Sequence, residues 1–236
     1  MKPETTVALV TGANKSIGLS TARALARLGM TTYLSSRDRE GGIEAATAAR
    51  EDGDVRYLHL DVTDESSMIA ALEVVDREAG RLDVLINNAG ISVGGRADDA
   101  APSEIQRALD TNLLGPIRLL QLALPLLRKS KAARVVNVSS SAGTYAFISD
   151  PSRPKPFPYC LSKAALNAAT MMFADALRAD GIKVNAACPG YVYSAVSRFL
   201  GTRTPDEGAE VIVKLATLPD DGPTGQFFHW TGPKPW

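Results

Sequence analysis

Residues 6–18 read TVALVTGANKSIG, and this stretch decides the fold. Thr6 to Val10 is a continuous apolar run of strand length, broken by Thr11-Gly12. From Ile17 the apolar residues return at helical spacing, at Ile17, Ala24, Leu25 and Leu28, until Gly29 supplies a C-cap. A strand apolar on both faces belongs inside a parallel sheet covered by helices on either side. Its passage through a small-residue turn into a helix opens a βαβ unit. Such a turn lets the backbone approach a phosphate, and the helix N-terminus adds free N–H donors and the positive end of a dipole. Taken alone, the turn is equally an ordinary strand-to-helix connection. Its place after the first strand of an alternating chain favours the phosphate-binding reading.

The same rhythm continues outward from this stretch. Strands are expected at 31–35, 55–60 and 82–86, with helices at 40–50 and 66–78 between them. In the second half, helices are expected at 112–128, 159–178 and 205–216, and strands at 134–138, 182–187 and 225–230. The alternation predicts an α/β fold of Rossmann type. It is a doubly wound, mostly parallel seven-stranded sheet with helices on both faces and right-handed crossovers. No compositional break divides the chain, so 1–236 reads as a single domain. Residues 150–158 (DPSRPKPFP) hold four prolines and read as an ordered surface loop placed directly before a helix. The tail at 222–236, rich in Pro and Gly, is expected to wrap the surface.

Composition narrows the function classes. The 26 Lys and Arg equal the 26 Asp and Glu, so net charge gives no reason to propose nucleic acid or a membrane surface as partner. Two cysteines, Cys160 and Cys188, do not make a disulfide scaffold and point to a reducing compartment. The two histidines, His59 and His229, are far apart, and no metal-ligand spacing or His-based triad is present. Met1-Lys2-Pro3-Glu4 lacks the apolar stretch of a secretion signal, and the apolar run at 112–127 is short and interrupted by Arg118 and Pro125. The reading is a soluble, cytoplasmic protein acting on a small molecule without a metal.

The strand ends carry the candidate binding residues. The turn supplies Gly12, Asn14, Lys15, Ser16, Ile17 and Gly18. Asp61, followed by Val62, ends the third strand and is placed to accept from an adenine amino group, or else to cap a helix. Asn88, Ala89 and Gly90 follow the fourth strand, where ligands meet open α/β sheets. In NAD binders an acid near the end of the second strand takes the ribose hydroxyls. Here that strand ends in Ser35-Ser36-Arg37, with no acid before Asp38. Ser36, Arg37 and Lys15 suit a 2′-phosphate instead, which predicts NADP(H).

A second constellation suits proton transfer. Tyr159 and Lys163 stand four apart at the start of a helix and share one face. The ammonium is expected to stabilise phenolate and lower the tyrosine pKa, making Tyr159 a proton donor in reduction. Ser139, Ser140 and Ser141 follow the strand at 134–138, where a hydroxyl can donate to a substrate carbonyl. Asn112, opening an apolar helix, must find partners. It either caps the helix or holds a water linking Lys163 to solvent.

The ordered set TGANKSIG (11–18), DV (61–62), NNAG (87–90), Asn112, NVSS (137–140), YCLSK (159–163) and PG (189–190) resembles the short-chain dehydrogenase/reductase family from Thr6 to about Ser194. Asn14-Lys15 and Ser36-Arg37-Asp38 are most similar to NADPH-dependent carbonyl reductases. The resemblance implies a catalytic tetrad of Asn112, Ser140, Tyr159 and Lys163, with Ser139 as the fallback serine. It implies that Tyr159 and Lys163 also line the cofactor site, with Lys163 holding the nicotinamide ribose. It further implies that Pro189, Gly190 and Val192 meet the nicotinamide amide and that Ser194 contacts amide or phosphate. It implies reduction of a ketone or aldehyde by hydride transfer, or the reverse, and association into a homodimer or homotetramer through the helices at 112–128 and 159–178. The alternative is a catalytically silent NADP-binding regulator of the same fold.

Two departures stand out. Ser16 occupies a position where the family has glycine. Tyr159 follows Ser140 by nineteen positions, more than in many members, because of the proline-rich loop. That loop is expected to border the substrate pocket, and 195–205 to form a lid. Phe147, Phe157, Tyr191, Tyr193 and Phe199 hint at an apolar or aromatic substrate.

Overall fold

The apolar run of the opening stretch forms β1 (Val7–Val10), whose four residues are all buried. Successive side chains of a strand point to opposite faces. Val7 and Leu9 accordingly join one core layer, and Ala8 and Val10 the other. The structure is a computed structural model describing residues 5–236. The reading of 1–4 as lacking a secretion signal lies outside the described residues.

Along the chain, β1 is followed by α1 (Ser16–Arg27), β2 (Thr31–Ser36), α2 (Arg39–Ala49), β3 (Val55–His59), α3 (Glu65–Ala79) and β4 (Val84–Asn87). Then come α4 (Pro102–Leu109), a π-helical segment (Asp110–Leu114), α5 (Gly115–Leu127), β5 (Arg134–Val138), α6 (Tyr145–Ser149) and α7 (Phe157–Ala176). The chain closes with β6 (Lys183–Cys188), α8 (Pro205–Ala216), β7 (Phe227–His229) and β8 (Gly232–Lys234). The sheet runs in the order β3-β2-β1-β4-β5-β6-β7-β8. Every pairing is parallel except β7 with β8.

Helices cover both faces. Met68, Leu72 and Val75 of α3, Leu119, Leu120 and Leu127 of α5, and Ala174 of α7 pack on Leu9, Leu85 and Val135. Ala22 and Leu25 of α1, Ala46 and Ala49 of α2, and Ile212 and Leu215 of α8 pack on Val10, Ile86 and Val136. This is the doubly wound architecture expected from the alternation. No helix among the described residues is long and apolar enough to cross a membrane.

Several elements differ from expectation, the short α6 among them. The sheet has eight strands, not seven. Gly232-Pro233-Lys234 has no apolar pattern and becomes a strand by pairing antiparallel with β7 across the turn at Trp230-Thr231. The helix expected at 112–128 begins instead at Pro102 and reaches Leu127 through the π-helical segment. In α4 Ile105, Ala108 and Leu109 share one face, but the helix is only eight residues long and Ala108 alone is fully buried, so its stripe is too short to stand out in the sequence. Finally, α7 starts inside the proline-rich loop. Pro158 fits the first helical turn, where a missing N–H costs no intrahelical bond.

Candidate active site

The direction of winding reverses between β1 and β4, and the loops leaving their C-terminal ends diverge to leave a crevice. Its floor is stitched by side chains. Thr11 Oγ1 donates to the Ile86 carbonyl (3.3 Å) and accepts from the backbone N–H groups of Asn88 and Ala89 (3.0 Å each). The Asn88 amide donates to the Thr11 and Gly12 carbonyls at 2.7 and 3.1 Å. Asn88 therefore shapes the glycine turn from the neighbouring strand. Gly12 lies at φ +61°, and a methyl group there would meet Ala89 Cα at 2.9 Å. One at Gly18 would come within 2.5 Å of the Asn88 amide nitrogen.

Ser16 holds a left-handed φ of +51°, a conformation that costs a non-glycine residue about 1–2 kcal/mol. Its hydroxyl is buried without a hydrogen-bond partner. No side chain caps the N-terminus of α1, where Lys15 is the N-cap residue. An unmet hydroxyl beside unmet helix N–H groups suits an anion such as a diphosphate. Ile17 packs half-buried against the β1 layer.

At the end of β2, Ser36 is buried and its hydroxyl donates to the Asp38 carbonyl (2.6 Å). Asp38 caps α2, with Oδ1 accepting from Gly41 N (3.2 Å) and Oδ2 from the Asn14 amide (3.4 Å). The first acid after β2 is thus occupied by a helix N-terminus. Arg37 and Lys15 are exposed and form no ion pair among the described residues. Asp61 Oδ1 accepts from the Thr63 N–H and hydroxyl at 2.9 and 2.7 Å, shaping the entry to α3. Val62 is buried in the core layer beneath.

Tyr159 and Lys163 rise one helical turn apart on α7. Lys163 is 5% exposed, and its Nζ donates to the Val138 carbonyl (2.8 Å) at the end of β5. The ammonium sits 5.9 Å from the centroid of the Tyr159 ring. It has no carboxylate partner among the described residues, and burial lowers its pKa to about 8, opposed by the neighbouring Cys188. Tyr159 as a residue is half-buried, yet burial pushes its phenol up to about 12, against the pull of a hydrogen bond with the Ser140 side chain. The expectation of a lowered tyrosine pKa is therefore corrected. Lys163 is turned onto a carbonyl, and desolvation outweighs its distant charge.

Ser140 Oγ also accepts from the Ala142 N–H (3.1 Å). Ser139 is buried, with its hydroxyl donating to Asn167 Oδ1. Of the two serines, Ser140 faces the phenol. Asn112 lies fully buried in the π-helical segment, the kind of local helix irregularity that recurs at functional sites. Its Oδ1 accepts from Ile91 N (2.8 Å), and its amide donates to Ile91 O (2.9 Å) and Ser162 Oγ (3.0 Å). Its side chain thus clamps the loop after β4 to α7 and caps no helix. A methyl group at Gly90 would stand 3.7 Å from Lys163 Nζ and 3.3 Å from Asn112 Oδ1, so the four groups share one corner of the crevice.

After β6, Pro189 is buried and Gly190 takes φ +84° against Trp230 and Arg203. The Arg203 guanidinium lies 4.1 Å from the Trp230 ring centroid. These two residues back the turn, and nothing in their distant sequence positions signals it. Val192 is buried and bridges to Arg203. The Ser194 hydroxyl accepts from Ser197 N (3.4 Å) in a tight turn. The expected lid at 195–205 is this short turn followed by α8, with Val196, Phe199 and Leu200 exposed and Phe199 packed on Tyr193 at 5.3 Å. A separate surface depression of about 410 Å³ beside α3, lined by Leu58, His59, Asp64 and Ser67, contains none of these groups.

Comparison with known proteins places this arrangement. Residues 6–204 match the family model described as short chain dehydrogenase. The chain is 33% identical over 275 residues to carbonyl reductase [NADPH] 1 of Mus musculus, covering 98% of each. It is 30% identical over 302 residues to (+)-neomenthol dehydrogenase of Capsicum annuum, covering 95% of this chain and 96% of the relative. Among solved structures, NADPH-bound carbonyl reductase from chicken fatty liver superposes with a TM-score of 0.88 at 29% identity, covering 99% of this chain and 100% of the other. Salutaridine reductase from Papaver somniferum superposes with a TM-score of 0.85 at 28% identity, covering 95% and 99%.

Two measurements on the ligand-free protein follow from this geometry. Ser16→Gly relieves the left-handed strain and removes an unmet hydroxyl, so denaturant unfolding shows a gain of about 1 kcal/mol after the cost of glycine's looser unfolded chain. A loss of stability would contradict that reading of Ser16. Lys163→Met removes a buried, unpaired cation and stabilises the protein at pH 7 by about 2 kcal/mol. The folded pKa of Lys163 lies near 8, below its ordinary value of 10.5. Folded wild type therefore binds fewer protons than unfolded chain between these values, and its stability climbs across that window. The gap to Lys163→Met narrows over the same range, and a gap constant from pH 7 to 10.5 contradicts the assignment.

Proposed function

Because the chain belongs to the short chain dehydrogenase family of oxidoreductases, we propose that it reduces a ketone or aldehyde to an alcohol with NADPH, with Tyr159 as proton donor. The observation that carries this reading is the convergence of Tyr159, Ser140 and a buried, unpaired Lys163 at the mouth of the crevice. The relatives named carbonyl reductase and the NADPH-bound structural neighbour support the cofactor. When bound, the dinucleotide supplies the hydride.

The chain's own residues supply the rest. Gly12, Ile17 and Gly18 keep the turn close to the diphosphate, and Ser16 donates to it along with the first N–H groups of α1. Arg37 and Lys15 pair with the 2′-phosphate, and Ser36 and Asn14 hold their loops in place. Asp61 keeps Oδ2 for the adenine edge beside Val62. Asn88, Ala89 and Gly90 line the middle of the crevice. Pro189, Gly190, Val192 and Ser194 form the wall at the nicotinamide end. Lys163 holds the adjoining ribose hydroxyls, which give its buried charge the partners that the protein does not.

Ser140 donates a hydrogen bond to the substrate oxygen and steadies charge that develops there. Tyr159 gives its proton to that oxygen. With its pKa near 12, the phenol is fully protonated at neutral pH, which is the state reduction requires. Lys163 keeps the site positive while the phenolate exists. Asn112 holds the loop at Ile91 against α7, so the corner keeps its shape. The exposed Tyr191, Tyr193 and Phe199 offer a substrate an apolar approach.

NADPH oxidation against a panel of ketones and aldehydes, followed by loss of absorbance, tests the chemistry. Tyr159→Phe lowers kcat by at least about 100-fold and leaves NADPH affinity intact. Unimpaired turnover by that variant sinks the mechanism. Arg37→Glu lowers kcat/KM for NADPH by about 10- to 100-fold and leaves that for NADH unchanged, as expected for loss of a hydrogen bond between charged groups. Parallel losses with both dinucleotides show that Arg37 does not meet the 2′-phosphate.

A further inference from the structure

One face of α7 carries Tyr159, Lys163, Asn167 and Thr170, and all four turn toward the end of β5. Lys163 Nζ donates to Val138 O (2.8 Å), Ser139 Oγ donates to Asn167 Oδ1, and the Asn137 amide donates to Thr170 Oγ1 (2.9 Å). The Asn87 amide donates to Asn137 Oδ1 (2.8 Å), extending the chain of bonds to β4. Asn137 and Ser139 are each 3% exposed, Asn167 is 4% and Thr170 is 0% exposed. Aliphatic side chains in these places would need no partners. Polar ones are costly unless bonded, and bonded they fix one alignment of helix on strand.

Asn167 is the informative member. Its amide nitrogen is buried with no partner among the described residues, so the one side-chain bond it makes there is the one from Ser139. Ser139 is held from the other side as well, because its backbone N–H donates to Ala187 O (2.7 Å). A residue fixed at backbone and side chain sets the direction in which the next residue leaves the strand. That next residue is Ser140, in extended conformation at φ −153° and ψ 148°, with its hydroxyl against Tyr159. Tyr159 and Asn167 lie on the same helix, two turns apart.

We propose that Asn167 is a positioning residue. Through its bond from Ser139 it sets the Ser140 hydroxyl against the Tyr159 phenol, so the two groups that meet the substrate oxygen are aligned by one helix. The role rests on the reductase reading above, but the alignment itself does not need turnover to be seen.

The test uses the full chain carrying tyrosine labelled with ¹³C at Cζ, with the Tyr159 resonance assigned by Tyr159→Phe. Asn167→Leu and Ser139→Ala each shift that resonance at neutral pH, and the double variant shifts it no further, because both break the same link. In steady-state reduction each lowers kcat by about 10- to 100-fold, the scale of a misplaced reacting group, with KM for NADPH unchanged. A Tyr159 resonance that stays in place in either folded variant overturns the proposal, whatever the rate does. If Asn167→Leu fails to fold, Ser139→Ala carries the test alone, since it removes one oxygen and adds no bulk. A shifted resonance in a protein whose wild type oxidises no NADPH supports the alignment and counts against the reductase reading instead.

Discussion

The bond from Lys163 Nζ to Val138 O (2.8 Å) joins the helix that carries the tyrosine to the end of the strand that leads into the serine. It buries an ammonium that no acid neutralises, a costly arrangement in a protein interior. The same burial that depresses Lys163 raises Tyr159, so at neutral pH the phenol is neutral beside an ammonium that burial disfavours. The corner therefore holds a buried positive charge with no carboxylate beside it among the described residues.

That corner exists because of the sheet. Parallel strands place the C-terminal ends of β1, β4, β5 and β6 on one edge, and the reversal between β1 and β4 opens the loops above them. Thr11 and Asn88 then bind those loops to each other with side-chain bonds, so the glycine turn is shaped from two strands at once. Ser16 shows the resulting constraint. The turn demands a left-handed residue, and this chain meets the demand with serine, trading conformational ease for a hydroxyl at the helix N-terminus.

Much of the site was legible because its signals are local. Tyr159 and Lys163 share a helix, so a spacing of four specifies their neighbourhood. The glycine turn and the strand ends are written in contiguous residues. The occupied Asp38 and the unpaired Arg37 agree with a reading made from residue types alone. Local signals failed where partners were remote. Residue type alone does not separate Ser139 from Ser140; the family resemblance favoured Ser140, and Asn167 and Tyr159 separate the two in space. β8 is a strand because β7 lies beside it, and the stripe of α4 spans only eight residues with one fully buried.

The sequence by itself determined the alternation of strand and helix, the glycine turn with Lys15, the cation Arg37 after β2 and the Tyr-Lys pair. Each depends on periodicity or on residues within a turn of one another. The tertiary structure decided the direction of the tyrosine's pKa shift, the serine that faces it, the clamp made by Asn112 on Ile91 and the backing of Gly190 by Trp230 and Arg203. Those depend on desolvation and on contacts between distant segments, which arise only when the layers close.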